Sequence, residues 1–162
     1  LSLFSVGEGL LVGSSADAMF LVHSETVPST FVPTRPFRVN AGSPHAYVMM
    51  ADGNTRYMAE LTAGDELLAV DQEGNGRSVV LGRLKIEQRP MLKIVGKKHT
   101  KTHQNANTCH VFMQQAETVR LITGDSTAVS VTALEKGQPV LGWEGHAARH
   151  VGRPVKGGVE ER

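Results

Sequence analysis

The sequence predicts a mainly β fold with little helix. Short apolar runs of strand length are bounded by Gly, Ser and Asp, turn signals recur at a steady spacing helped by 17 glycines, and helical patterning is scarce. The specific expectation is a strand-rich domain containing a small pseudo-symmetric β-barrel-like lobe.

Taken in order, "GLLVGS" and "AMFLVHSE" read as buried strands, with "SSADAM" between them a possible helical turn capped by Ser14 or Ser15. "TVPSTFVPTRP" holds three prolines and is a loop or edge segment. "FRVN" and "HAYVMM" read as strands, and Asp52-Gly53 marks a hairpin. "TRYMAEL" alternates. The long stretch from Glu66 to Gly96 gives a strand, a turn at Gly74-Asn75-Gly76, a second strand, and a third after Pro90. "KKHTKTHQNANT" is a polar, basic loop. "VFMQQAETVRL" could pass as helix by composition, but its β-branched flanks favour strand. "GDSTAVSVTAL" and "EKGQPVLGW" are each a turn and a strand, and "KGGVEER" is an expected frayed tail.

"ELTAGDELLAV" (Glu60 to Val70) resembles "ALEKGQPVLGW" (Ala133 to Trp143), with Gly64 and Gly137 as positions for positive φ. The echo points to two similar halves, although any β protein repeats such turns. The expected division is a strand-rich segment with candidate site motifs at 1–50, the barrel-like lobe at 51–145 and a tail at 146–162.

Seventeen basic and sixteen acidic residues leave a net charge of +1 with no basic stripe, which argues against a nucleic-acid partner. No apolar window is long enough to span a membrane. Cys109 stands alone, so no internal disulfide can form, and a reducing cytoplasm is the expected location. The chain opens on Leu1 without a basic leader and reads like the middle of a protein, so a preceding part is expected.

Several constellations could carry chemistry. Gly7, Gly9 and Gly13 have the spacing of a dinucleotide turn, but strand-like residues follow where a helix is needed, so sharp backbone turning is the better reading. His23 and Glu25 would share a strand face. Such a pair can move protons or ligate a divalent metal, or be a plain hydrogen-bonded strand end. Arg35 and Arg38 offer guanidinium forks for a carboxylate or phosphate, unless they pair with Glu25 or Glu60. Asn40 shares the face of Arg38, and His45 follows Pro44 on a stiff approach. Arg83, Lys85, Glu87 and Arg89 alternate on one predicted strand face, with Leu84 and Ile86 turned to the core. That face is either solvated or the rim of an anionic-substrate site. His99, His103, Cys109 and His110 make a poor zinc set, and His146 with His150 is weak alone.

The order of "GEGLLVGSSADAMFLVHSE", "RPFRVNAGSPHAY", "YMAELTAGDELLAVDQEG", "LGRLKIEQRP", "QQAETVRL" and "ARHVG" resembles the C-terminal part of the archaeal-type (type II) 3-dehydroquinate synthases, over about residues 4 to 155. The resemblance implies an enzyme that oxidatively deaminates an amino-deoxy-heptulosonate with NAD and closes the ring to 3-dehydroquinate, for aromatic amino-acid biosynthesis. It also implies a missing N-terminal domain as partner. A sister group, the 3-amino-4-hydroxybenzoate synthases, shares the pattern and implies a metal-dependent cyclisation. "FLVHSE" and "QQAET" lean to the dehydroquinate group, whereas "KKHTKTHQNANTCHVFMQ" departs from the family pattern. On this reading His23, Glu25, His45 and Lys85 are the catalytic candidates, and Arg35, Arg38, Asn40 and Arg89 hold the acidic substrate. A non-catalytic β-barrel binding module is the competing class. Convergence of His23, Glu25, Arg38 and His45 on one place would discriminate between them.

Overall fold

The computed structural model describes residues 3–29, 32–98 and 108–145, and the backbone of 159–161. Among the described residues twelve strands and one short 3-10 turn make up the regular structure, so the mainly β expectation holds. The centre is an antiparallel hairpin of β1 (Glu8–Ser15) and β2 (Ala18–His23), turned at Ala16-Asp17 rather than by a helix. Both strands are apolar on both faces, as befits the middle of a molecule.

The outer edge of β1 is shared by two strands. β3 (Tyr47–Met49) pairs through Val12↔Val48, and β5 (Glu66–Asp71) through Leu10↔Ala69. β4 (Thr55–Tyr57) completes a hairpin with β3 across Asp52-Gly53, and β6 (Gly76–Val80) one with β5 across Gly74. The outer edge of β2 is shared likewise. β9 (Arg120–Ile122) pairs through Val22↔Leu121, and β11 (Leu141–Glu144) through Phe20↔Gly142. β10 (Ala128–Ser130) completes a hairpin with β9. A second, two-stranded sheet of β7 (Met91–Lys97) and β8 (Thr108–Gln114) lies against the large sheet and supplies Cys109, Val111 and Met113 to its core.

The weak sequence echo is a structural duplication. Met50↔Leu67 and Thr123↔Val140 are equivalent bridges. Gly53 and Ser126 occupy the same turn position, both with positive φ, and Gly64 and Gly137 do so in the next turn. Thr62 N–H donates to Asp65 Oδ2 at 2.8 Å, and Glu135 N–H donates to Gln138 Oε1 at 3.1 Å, which is the same contact in each half. Leu11, Met19, Leu21, Met49, Leu68, Val70, Ile122 and Leu141 form an inner cluster drawn from both halves. The sheet curls around it, although among the described residues no ladder joins β4 to β10 to close a barrel.

Three local expectations are corrected. Residues 81–90 form no strand: backbone hydrogen bonds tie their ends, Leu81 to Gly64 and Asp65 and the Pro90 carbonyl to Gln115, and between them Leu84 packs on the core as expected while Ile86 is exposed. "FRVN" likewise forms no strand, and its backbone meets the end of β2 where Glu25 N–H donates to the Arg38 carbonyl. The expected frayed tail contains β12 (Val159–Glu161), paired with β11 through Gly142↔Glu160. The central hairpin pairs with strands on both sides of residue 50, and residues 146–158 lie outside those described.

Candidate functional site

The apolar run of β2 ends in three buried polar residues, His23, Ser24 and Glu25. His23 pairs with Gly9 across the hairpin. Gly7 N–H donates to His23 Nε2 at 2.8 Å, so that nitrogen carries no proton. The proton sits on Nδ1, which donates to the Ser24 carbonyl at 2.6 Å. Burial pushes the His23 pKa down and the Arg120 cation pushes the same way, against the pull of the Ser24 carbonyl. The ring is therefore neutral with both nitrogens engaged. Gly9 is required beside it, since a Cβ there would lie 1.8 Å from the Val22 carbonyl oxygen.

Glu25 is buried and held by its backbone as well as its side chain. Its N–H donates to the Arg38 carbonyl at 2.9 Å, and its carbonyl accepts the Arg35 N–H at 2.7 Å. Its carboxylate faces Arg38 Nε at 3.3 Å and Arg35 Nη1 at 3.8 Å. Both arginine side chains stay partly exposed. Burial raises the Glu25 pKa, while Arg38, Arg35 and Arg120 pull it down. Arg120, on β9, is buried next to Leu121, the partner of Val22. Sequence reading did not single it out. An arginine inside the apolar run "TVRLIT" was the available signal, because a buried arginine needs a charge partner.

Beside this cluster the 81–90 segment places Lys85 Nζ 2.6 Å from Glu87 Oε1, with Arg89 on the other carboxylate oxygen. The Glu87 carboxyl is held below its usual range, first by its bond to Lys85, and it also feels Arg38. The two groups therefore form one array in which cations outnumber carboxylates. At its border Glu8 takes a bidentate bond from Arg77 at 2.7 and 2.9 Å, which lowers its pKa.

Other predicted residues lie elsewhere. Asn40 Nδ2 donates to Gln114 Oε1 at 2.6 Å, and Gly42 packs on β8, where a Cβ would lie 2.3 Å from the Phe112 carbonyl. His45 is exposed on the turn that opens β3. Since β3 pairs with Val12 and Gly13, His45 stands at the opposite end of the hairpin from His23. His23, Glu25, Arg35 and Arg38 thus come together and His45 does not join them. Cys109 is buried while His110 on the other face of β8 meets the Phe112 ring edge-on. Among the described residues no three potential ligands gather for a metal ion; His99, His103, His146 and His150 lie outside them. Gly9 and Gly13 sit within β1 and no helix follows, so the glycine triplet is not a dinucleotide turn. No helix among the described residues is long and apolar enough to cross a membrane.

A family model described as the 3-dehydroquinate synthase II C-terminal domain matches residues 1–162. The 3-dehydroquinate synthase homolog of Persephonella marina is 46% identical over 99% of this chain and 47% of its own length. The 3-dehydroquinate synthases of Methanosphaera stadtmanae and Methanocaldococcus jannaschii are 44% and 43% identical over 99% of this chain, each covered over 43% of its own length. The chain therefore spans a little under half of these relatives. No solved structure matches it. A buried glutamate ringed by arginines, on a duplicated β scaffold, is the local architecture of a chain that belongs to the 3-dehydroquinate synthase II family, as its C-terminal domain.

Proposed function

We propose that this domain supplies the anion-holding part of a longer 3-dehydroquinate synthase II. The overall reaction of that enzyme is NAD-dependent oxidative deamination of 2-amino-3,7-dideoxy-D-threo-hept-6-ulosonate, followed by ring closure to 3-dehydroquinate, in aromatic amino-acid biosynthesis in the cytoplasm. The observation that carries the reading is the convergence of Arg35, Arg38 and Arg120 on buried Glu25. One carboxylate cannot neutralise three guanidinium groups. The partly exposed Arg35 and Arg38 keep donors for a substrate carboxylate, and Glu25 fixes their orientation before it arrives. Lys85 and Arg89 extend the cationic field that attracts an acidic sugar.

The glycine triplet does not supply an NAD site, since Gly9 and Gly13 lie in a strand where a phosphate-cradling turn would lead into a helix. The nicotinamide chemistry is accordingly assigned to the rest of the enzyme. A divalent metal fits His23 and Glu25 no better: both ring nitrogens are bonded, and three cations face the carboxylate. This donor set favours the dehydroquinate reading over the metal-dependent aminohydroxybenzoate one. Of the four residues whose convergence separates an enzyme from a binding module, His23, Glu25 and Arg38 come together and His45 does not; a purely structural module would gain little from burying Glu25 and Arg120.

The test is turnover by the full-length enzyme carrying this domain, with the amino sugar acid and NAD, followed by NADH absorbance and by dehydroquinate itself. Arg38→Ala is expected to lower kcat/KM about 10- to 100-fold, the worth of one charged hydrogen bond, chiefly through KM. An unchanged kcat/KM in both Arg35→Ala and Arg38→Ala sinks the assignment. An aromatic amine formed without NADH moves the protein to the sister reaction.

A further inference from the structure

The arginine pair is surrounded by exposed apolar side chains. Phe4 N–H donates to the Pro36 carbonyl at 2.7 Å, which sets Leu3 beside the turn closed by Arg38 N–H on the Arg35 carbonyl. Phe37 is at the tip of that turn, 58% exposed, and Leu3 is 56% exposed. Val6, 71% exposed, sits in the turn whose Gly7 is bound to His23. Ile86, 62% exposed, lies between Lys85 and Glu87, and Glu87 feels the Arg38 charge. A single exposed apolar residue is ordinary, but four bordering one charged cluster mark a contact surface.

We propose that this end of the sheet is the docking face for the other part of the same enzyme, which closes over Arg35 and Arg38. The inference rests on the reading that the domain works within a longer 3-dehydroquinate synthase II. Relatives matched over 43–47% of their own length carry a further body at least as large as this chain, and that body needs a seat. The surface dictates its chemistry. Arg35, Arg38, Arg77, Lys85 and Arg89 outnumber Glu8, Glu25 and Glu87, so the occupant presents apolar side chains at its centre and acidic ones at its rim. Seated there it strips water from the guanidinium groups, and a substrate carboxylate held between the two parts is bound in a drier place.

The test uses the full-length enzyme with single substitutions Phe37→Cys, Val6→Cys and Val95→Cys. Val95 is on the exposed face of β7, away from the cluster. Alkylation rates are read peptide by peptide by mass spectrometry, each relative to the same variant in urea. Positions 37 and 6 are expected to be protected about 10-fold or more beyond position 95, as residues at a dry interface core are. Protection at 37 and 6 no greater than at 95 overturns the proposal. The labelling needs no substrate, so loss of the dehydroquinate reading and loss of the docking face are separate results.

Discussion

In the first half of the molecule, β1 holds β3 and β5 through Val12 and Leu10; in the second, β2 holds β9 and β11 through Val22 and Phe20. The turns and bridges between those strands correspond residue for residue, and so do the inner-core pairs Leu11 and Leu21, Met49 and Ile122, and Leu68 and Leu141. The polar interior does not. His23 and Glu25 stand where the first half has Gly13 and Ser15, and Arg120 stands where it has Tyr47. The scaffold therefore needs none of these three charged or titratable groups to fold its hairpin and flanking strands. At these three positions the first half avoids a cost of burial that the second bears, and such a cost locates the site.

The sharpest break of that comparison is Glu25→Gln. It leaves Arg35, Arg38 and Arg120 facing one another without their carboxylate. Breaking a buried pair costs about 3–5 kcal/mol, and partial exposure of Arg35 and Arg38 reduces this to roughly 1–3 kcal/mol. The equivalent change in the first half, Ser15→Ala, is expected to cost under about 1 kcal/mol, since only its local bonds to the Asp17 carboxylate and N–H are lost. Urea midpoints of the two variants measure the difference. Equal losses would mean that the second half is not specialised.

Arg120→Met is a gentler probe. Removing the cation relieves its repulsion of a protonated His23, so the His23 pKa rises, as ring proton shifts in an NMR titration will show. The sign for stability follows from burial. The unfolded ring takes a proton below its ordinary value of about 6.5, while the folded ring resists until lower pH. The contribution of neutral His23 is thus complete above that value and is lost as pH falls toward its depressed folded pKa. In Arg120→Met the loss levels off at a higher pH. Tyr47→Phe, its counterpart, removes an exposed hydroxyl bond to Tyr57 and leaves the His23 titration unmoved. A His23 curve identical in wild type and Arg120→Met would detach Arg120 from the cluster.

Much of the fold was legible because turn chemistry and strand alternation are local. Asp52-Gly53, Gly74, Gly64 and Gly137 all turn where the sequence reading placed them. The 81–90 segment misled because alternation alone does not make a strand; a neighbour with free backbone groups is also needed. At the site, the pairing of Glu25 with Arg35 and Arg38 was an open alternative in the sequence. Arg120 escaped notice because it is far from Glu25 along the chain, and only the β2–β9 pairing carries it there. His45 was grouped with Arg38 by nearness in sequence, but an extended chain running along β8 carries it to the other end of the hairpin.

The smallest effect tests the duplication itself. Gly53 and Ser126 hold the same turn position, at φ 87° and 66°. Gly53 N–H donates to Met50 at 3.0 Å and Ser126 N–H to Thr123 at 2.9 Å, so the turn is closed in the same way in both halves. A non-glycine residue in this region costs roughly 1–2 kcal/mol, while glycine costs about 0.5–1 kcal/mol in unfolded-chain entropy. Ser126→Gly is therefore expected to stabilise the chain by about 0.5 kcal/mol, and Gly53→Ser to destabilise it by a similar amount. In the double variant the residues at the two turns are simply exchanged, and because the sites lie in separate hairpins their effects should nearly cancel. Thermal midpoints of the three variants decide it. Two shifts of the same sign would show that the turns are alike in shape but not in energy, and that the second hairpin draws on contacts of Thr123 and Asp125 which the first lacks.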